Sequence, residues 1–492
     1  MLPPINPSPA KRRPRPGILT RLRRWTRVMG PGLITGASDD DPSGIVTYTQ
    51  AGSQFGLATL WTALITFPLM ATMQGMAARI GLVTSQGLTG TLRMHYPKWV
   101  LYSMILFCFP ATILNIGADI QSMGAVAHLL VPGIPAFTFS ILFTGLLLFM
   151  IIRYPYQKMA GMLKWLCLAL LTYLIVPFLV HPDWKSVLHR TVVPTVHMNK
   201  EFLSILVAIL GTTISPYLFF WQATMEVEDL EHNGPKGGRP AKAGRPRRNR
   251  RPAKQAVAEA AGAHAGAAQG KRAASTSDDS GHPATHPGGQ TRRKGVYVDK
   301  RILEDMRSDV NVGMLFSNLV TFFIILTAAA VLNSAGIKQI ATVEQAASAL
   351  KPLAGKVSYA LFTIGVIGTG FLCIPVLAGS VSYMLAETFQ FSMGLDKKFN
   401  EARRFYAVII VSLVAGLCLQ FFGVSAVDAL IYTAILYGIT SPVLIAVILH
   451  IGNNKTIMGK YTNSVLSNCL GFLTLILMTA AAAGLLYFTF FT

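Results

Sequence analysis

Three consecutive carboxylates, Asp39, Asp40 and Asp41, precede Pro42 inside an otherwise apolar stretch that reads GPGLITGASDDDPSGIVTYTQAG. Lipid tolerates neither a buried charge nor an unbonded backbone group, so this pattern indicates a functional site within a membrane. Pro42 removes a backbone donor, and a helix that breaks there leaves carbonyl oxygens free beside the carboxylates. Because successive helical residues point about 100° apart, the three aspartates cannot all face one ion. We assign Asp41 to the ion, Asp40 to a vestibule or water shell, and Asp39 to a capping or solvated position.

A second break is predicted in GTTISPYLFF, where Ser215 precedes Pro216 in the middle of another apolar stretch. Two apolar segments that are interrupted at corresponding positions, five spans apart, are typical of an inverted repeat with a central binding site. The alternative is an ordinary helix N-cap at Asp41 and a simple proline kink at Pro216. The matched pair of breaks, one of them with carboxylates, favours the binding site.

The elements that position these residues are membrane helices. Of the 492 residues, 52% are hydrophobic and 13% are charged, and the mean hydropathy is +0.47. A soluble protein carries about 25% charged residues. Eleven candidate spans are predicted, near residues 29–54, 58–82, 99–130, 134–153, 157–180, 201–223, 311–333, 355–386, 404–423, 426–450 and 464–490. The chain is therefore expected to be an all-α integral membrane protein, a 5+5 inverted repeat with broken helices 1 and 6 and an added eleventh span.

The basic residues predict the orientation. With a cytoplasmic N-terminus, eight Lys and Arg residues lie in the N-terminal arm, twelve lie in the other cytoplasmic loops and helix ends, and six lie on the opposite side, without counting the long insertion. This asymmetry follows the positive-inside rule. We expect a multi-pass protein of the cell membrane, in a bacterium the inner membrane, with its C-terminus outside.

Composition divides the chain into a basic arm (1–28), a first membrane region (29–223), a cytoplasmic loop (224–308) and a second membrane region (309–492). Within the loop, residues 233–295 are rich in Pro, Gly, Ala and Arg and have few large apolar side chains, which is typical of disorder. Aromatic residues do not alternate with the basic ones there, so weak contact with lipid headgroups is favoured over specific nucleic-acid binding.

The five cysteines each lie alone in apolar or nearly apolar runs. Isolated cysteines predict neither a disulfide framework nor a cysteine-based metal site. We interpret them as small buried hydrophobic residues.

The run GPGLITGASDDDPSGIVTYTQAGSQFG (30–56) resembles the first helix of the NRAMP family of divalent-metal transporters, which have the leucine-transporter-like fold, and AARIGLVT (77–84) is similar in character. The resemblance extends over the chain except for 1–25 and 233–295. It implies a secondary transporter that works by alternating access within the lipid bilayer. It implies neither an enzyme nor a cofactor, since the metal ion is the substrate.

In that family, an Asp and an Asn of the first helix bind the metal together with a Met of the sixth helix and a nearby carbonyl. The resemblance places Asp41 at the Asp position, Gly44 at the Asn position and Ser215 at the Met position, and Thr212 where the carbonyl is donated. With Ser38, these residues are the predicted ion ligands.

The substitutions imply a harder site than the family pattern. Carboxylate, hydroxyl, carbonyl and water oxygens suit Mg²⁺ or Mn²⁺, whereas thioether sulfur favours softer ions, so Fe²⁺ is a weaker candidate. The chain resembles a divergent, magnesium-transporter-like branch. Weak or absent proton coupling is implied because Tyr217 replaces a His, and Ala118 and Gln121 replace an acidic pair, although Asp119 is adjacent.

Six residues are predicted to line the pathway or support the site: Asp40, Gln50, Tyr217, Gln121, Asp119 and Thr440. For three of them, a purely structural role is the alternative. Gln50 can be a buried amide bonded to the backbone, Tyr217 can be packed among other aromatic residues, and Thr440 can belong to a kink before Pro442.

Three other functions compete with this interpretation. The first is a proton-coupled Mn²⁺ or Fe²⁺ transporter of the ordinary NRAMP type. The second is an intramembrane aspartyl protease with Asp41 and Asp119 as its dyad, although the residues around Asp119 do not fit that class. The third is a permease for amino acids or other organic solutes, which Asp41 disfavours because a carboxylate substrate would meet a like charge.

Overall fold

The computed structural model describes residues 31–155, 172–233 and 300–491, together with Lys158 and Gly161. These residues form helices and no strands. Helices of eight or more residues are α1 Pro31–Asp39, α2 Pro42–Phe55, α3 Leu60–Thr84, α4 Leu88–His95, α5 Lys98–Leu130, α6 Ala136–Arg153, α7 Thr172–Val180, α8 Trp184–Val192, α9 Lys200–Thr213, α10 Pro216–Asn233, α11 Lys300–Ala328, α12 Ser358–Phe389, α13 Arg403–Cys418, α14 Ala426–Asn453 and α15 Val465–Phe490. A π-helical turn, Ala329–Asn333, continues α11.

Nine segments of the described chain are long and apolar enough to cross a membrane. By this measure the first two predicted spans form one run, Pro42–Thr84. Of the predicted fifth span, 157–180, Thr172–Val180 is helical, and most of the remainder lies outside the described residues. The all-helical membrane class is confirmed, whereas the count of eleven stays a prediction.

Both predicted helix breaks are present. The first separates α1 from α2 at Asp40 and Asp41, and the second separates α9 from α10 at Ile214 and Ser215. The second half of one broken helix packs against the first half of the other, because α2 contacts α9 and α1 contacts α10. The two broken helices therefore run antiparallel and bring their breaks together.

The packing around the broken helices is that expected of an inverted repeat, in which a contact made by one half recurs in the other half. Helix α2 packs on α11, and α10, the equivalent half of the other broken helix, packs correspondingly on α3. Helices α3 and α11, the second helices of the two halves, also contact each other, as do α5 and α12, the third ones. Helix α5 packs in addition on α14, so it forms the wall behind the first break.

Glycines permit the closest of these approaches. A Cβ atom at Gly211 would lie 2.1 Å from the carbonyl oxygen of Ala434, and one at Gly36 would lie 2.2 Å from that of Gly313. Small residues let helix backbones meet where a larger side chain would separate them. These contacts bring α9 onto α14 and α1 onto α11.

The long loop is bounded by helices. Helix α10 continues to Asn233 and α11 begins at Lys300, so both helices extend into the predicted loop 224–308. The predicted basic arm 1–28 and almost all of the predicted disordered stretch 233–295 lie outside the described residues.

Candidate functional site

Asp41 occupies the first break and caps α2. Its backbone is extended, with φ −71° and ψ 169°, and its Oδ1 accepts a hydrogen bond of 2.7 Å from the Gly44 amide. Pro42 fits the first turn of α2, where its missing amide costs nothing. The ordinary capping role is thus real, but it occupies one carboxylate oxygen and leaves the other for the site. The side chain is fully enclosed, at 2% exposed.

The second oxygen of Asp41 belongs to a polar network between helices. The Asn115 amide on α5 donates to Asp41 Oδ2 at 2.9 Å and lies 3.4 Å from Asp119 Oδ2. Thr433 on α14 donates to Asn115 Oδ1 at 3.0 Å. Sequence reasoning missed Asn115 and Thr433. The available signal was the i, i+4 spacing of Asn115 and Asp119, which lie on one face of a helix.

Asp119 and Cys373 complete a buried cluster with Asp41. The Cys373 thiol donates to Asp119 Oδ2 at 3.5 Å, and Asp119 Oδ1 has no hydrogen-bond partner among the described residues. The Ser43 amide lies near both carboxylates. One potential ligand atom from each of Asp41, Asp119 and Cys373 lies within 4.8 Å of the other two. Interpreting every cysteine as a hydrophobic residue overlooked this cluster.

Gly44 and Thr212 lie on the other side of the Asp41 carboxylate. A Cβ atom at Gly44 would be 3.4 Å from Asp41 Oδ1, 3.4 Å from Thr212 Oγ1 and 3.2 Å from Cε2 of Tyr48. A side chain at this position would therefore project between Asp41 and Thr212. Glycine keeps this narrow region free of a side chain.

Ser215 lies in the second break, where its hydroxyl bonds to the backbone of α9. It donates to the carbonyl of Thr212 at 2.6 Å or to that of Gly211 at 3.2 Å. The structure thus brings Asp41, Gly44 and Thr212 together. Ser215 holds the Thr212 carbonyl and keeps its own oxygen lone pairs for another partner.

The carbonyl that the second break frees is that of Ile214, and α14 supplies its donor. The Ser441 hydroxyl donates to it at 3.1 Å or to the Tyr437 carbonyl within α14 at 2.7 Å. The Thr440 hydroxyl bonds instead to Leu436 O within α14, at 2.9 Å. The hydroxyl of α14 that reaches the break is therefore that of Ser441 and not that of Thr440.

Ser38 and Tyr217 connect α1 to α10. The Tyr217 hydroxyl donates to the backbone carbonyl of Ser38 at 3.4 Å, and the Ser38 hydroxyl is bonded within α1 to Ile34 O at 2.8 Å. The Tyr217 ring also packs on Tyr437, with 5.7 Å between centroids. Ser38 therefore offers the site a carbonyl rather than a hydroxyl.

Asp39 and Asp40 are both enclosed, each at 1% exposed. Ser317 on α11 lies within hydrogen-bond distance of both, 2.8 Å from Asp39 Oδ2 and 3.2 Å from Asp40 Oδ1. A solvated position for Asp39 was a wrong prediction, because the packing of α1 on α11 covers this face. Asp39 Oδ1 and Asp40 Oδ2 have no partner within the described chain.

The two glutamines of the predicted pathway bond to loop backbones. Gln50 accepts from Ile340 N at 2.8 Å and donates to Lys338 O at 3.3 Å. This matches the alternative of a buried amide bonded to the backbone. Gln121 donates to Val424 O at 2.8 Å and lines an apolar cavity of about 630 Å³ between α5 and α14. Their hydrogen bonds brace loops and are not part of the Asp41 network.

The comparisons with known proteins agree on one family. A family model described as "Natural resistance-associated macrophage protein-like" matches residues 32–251 and 280–488. The divalent metal cation transporter MntH of Caldanaerobacter subterraneus subsp. tengcongensis is 22% identical over 476 residues, which cover 95% of this chain and 94% of that protein. MntH of Chromohalobacter salexigens is 22% identical over 474 residues, covering 95% and 92%.

Solved structures confirm the fold. A manganese transporter of Eremococcus coleocola, in complex with an aromatic bis-isothiourea compound, aligns with a TM-score of 0.65 at 16% identity and covers 96% of this chain and 88% of that one. Mhp1, a nucleobase-cation-symport-1 family transporter, aligns with a TM-score of 0.53 at 11% identity and covers 93% and 91%. The leucine-transporter-like fold that the family resemblance implied is therefore confirmed. With a family model matched along most of its length, this chain belongs to the natural resistance-associated macrophage protein-like (NRAMP) family.

Proposed function

We propose that this protein carries divalent metal cations across the cell membrane by alternating access, with the ion bound at the break that contains Asp41. The main support is the Asp41–Asp119 pair, two buried carboxylates that share one amide donor at 2.9 and 3.4 Å. No Lys, Arg or His of the described chain bonds to either of them. Two buried negative charges without a basic partner fit a dication.

The family consists of transporters and not of enzymes, so the protease alternative is wrong. The fold does bring Asp41 and Asp119 near each other, as a dyad would require, but the Asn115 amide lies between the two carboxylates. The similar proteins include divalent metal cation transporters and a manganese transporter, which supports a metal substrate over an organic one.

We propose Mg²⁺ and Mn²⁺ as the preferred ions, with Fe²⁺ as a weaker substrate. Gly44 places no side chain between Asp41 and Thr212, and Thr212 and Ser215 add only oxygen atoms on that side. Mg²⁺ keeps part of its water shell when it binds, so it benefits from a site with room. Mn²⁺ accepts the same oxygen donors.

We propose weak or absent proton coupling, since Ala118, Gln121 and Tyr217 lack a group that titrates near neutral pH. The second candidate is a proton-coupled Mn²⁺ or Fe²⁺ transporter of the ordinary type, and the position of Asp119 beside Asp41 supports it. Liposomes that contain a pH dye distinguish the two. Uncoupled transport leaves the internal pH unchanged during Mn²⁺ entry, whereas coupled transport acidifies the interior.

We also propose a cytoplasmic N-terminus and an external C-terminus, from the distribution of Lys and Arg. Labelling of single cysteines, introduced at each end of a variant without native cysteines, with a membrane-impermeant maleimide on intact cells tests this orientation. The C-terminal cysteine should react and the N-terminal one should not.

Metal uptake into liposomes by the purified protein tests the transport function. We expect time-dependent Mn²⁺ entry that excess external Mg²⁺ inhibits, and no uptake of amino acids. Asp183→Asn serves as a matched control for aspartate substitutions in the site, since Asp183 is an exposed N-cap of α8. Absence of any divalent-metal flux from correctly folded protein would contradict the proposal.

A further inference from the structure

We infer that Asp119 and Cys373 form, together with Asp41, a second coordination position for the transported ion, in which Cys373 is the sulfur ligand. This inference rests on the proposed function, because the same carboxylate, Asp41, serves both positions. The first position is bounded by Gly44 and Thr212, and the second lies on the side of α5 and α12.

The geometry of the three side chains fits a metal ion. Their ligand atoms lie within 4.8 Å of one another, so the centre of the triangle is at most about 2.8 Å from each atom. Metal–ligand bonds to oxygen and sulfur are about 2.0–2.3 Å for Zn²⁺, so small side-chain shifts bring all three donors to bonding distance. All three residues are buried.

One oxygen atom of the Asp119 carboxylate has no hydrogen-bond donor in the described part of the chain. Asp119 is 0% exposed, and its Oδ1 has no hydrogen bond within the described residues. A buried carboxylate oxygen without a donor is costly, and a cation removes that cost. The other oxygen, Oδ2, already receives the Cys373 thiol and lies near the Asn115 amide. The network thus holds the carboxylate in place and leaves one oxygen for an ion.

The thiol determines which ions benefit from this position. Sulfur binds metals as the thiolate and favours soft ions such as Cd²⁺ over Mg²⁺. When a soft ion binds, the thiol proton is released to solvent, and the metal–sulfur bond replaces the hydrogen bond to Asp119. Mg²⁺ uses the carboxylates and leaves the thiol protonated. Cys373 therefore widens the range of accepted ions towards the softer metals.

Cadmium titration of the purified full-length protein tests this position. A sulfur–cadmium bond gives an ultraviolet charge-transfer band, which a purely structural cysteine does not produce. In a background with Cys167, Cys418 and Cys469 replaced by Ser, we expect the band to be present, to persist in Cys108→Ser, a control at another buried cysteine, and to be lost in Cys373→Ser. Asp119→Asn keeps the thiol and should weaken Cd²⁺ binding about tenfold or more, as loss of one charged ligand predicts.

Transport by the same variants separates this inference from the proposed function. Cys373→Ser should lose most inhibition of Mn²⁺ uptake by Cd²⁺, whereas the control Cys108→Ser should retain it. A background protein that transports Mn²⁺ but shows no band, or an unchanged band in Cys373→Ser, would overturn the inference and leave the proposed function intact. A Cys373-dependent band in a background protein without divalent-metal uptake would support the coordination position and contradict transport.

Discussion

Replacement of Gly44 by Asn tests whether the absence of a side chain between Asp41 and Thr212 determines ion preference. Gly44 is the third residue of α2, and its missing Cβ would lie 3.4 Å from both Asp41 Oδ1 and Thr212 Oγ1. The nearest obstacle is Cε2 of Tyr48, at 3.2 Å, which a small rotation of that ring relieves. The added amide therefore extends into the space that we assign to ion-bound water.

The expected magnitude follows from the loss of one water. A hydrogen bond between a water and a charged group contributes about 1.5–3 kcal/mol. Since about 1.4 kcal/mol corresponds to a factor of ten, Mg²⁺ uptake should fall roughly 10- to 100-fold relative to Mn²⁺ uptake. Mn²⁺ accepts the amide oxygen in place of the water and should change much less.

Gly44→Ala is the matched control. It adds the Cβ contact without the amide, and it gains about 0.5–1 kcal/mol of helix stability, which offsets the close contact with Tyr48. The ratio of Mg²⁺ to Mn²⁺ uptake, measured in liposomes with equal amounts of each variant, should stay within about threefold of the wild type for Ala, less than 1 kcal/mol. An unchanged ratio in the Asn variant, with normal folding, would refute the role of the missing side chain at Gly44.

Three further substitutions have distinct expected outcomes. Ser215→Met should shift competition assays away from Mg²⁺ and towards Mn²⁺ or Cd²⁺, because it adds a soft donor and fills space; stronger inhibition by Mg²⁺ would argue against this. Asn115→Ala should lower Mn²⁺ uptake about tenfold or more, since Asp41 loses a charge-assisted hydrogen bond; wild-type rates would exclude a positioning role for this amide. Ser317→Ala should reduce stability by about 1–3 kcal/mol, because Asp39 and Asp40 lose their shared donor. Thermal unfolding measures this loss, and Ser380→Ala, which removes a hydroxyl bonded within α12, should change it much less.

The sequence was most informative where the signal was local. An aspartate before a proline in an apolar run predicts a capped helix break, and the structure has that break at Asp41. The break before Pro216 follows from the same backbone chemistry. Matching the two breaks was enough to predict the inverted repeat, because both lie at equivalent places in the order of spans.

The sequence was least informative about contacts between distant helices. Asn115 and Cys373 are single polar residues in long apolar helices, and only the packing of α5 and α12 brings Cys373 to Asp119. Asp39 was predicted to be capping or solvated because helical geometry gives its direction but not its neighbour. That neighbour is Ser317, whose position depends on the packing of α1 on α11.

Uptake of Mn²⁺ by the Asp41→Asn variant in liposomes tests the central claim most directly. Asn keeps the size of the side chain and can still accept the Gly44 amide, so the cap of α2 should survive while the countercharge of the ion is lost. We predict that uptake falls to the level of empty liposomes, whereas Asp183→Asn transports at the wild-type rate. Wild-type Mn²⁺ uptake by folded Asp41→Asn protein would contradict the assignment of the ion to this break.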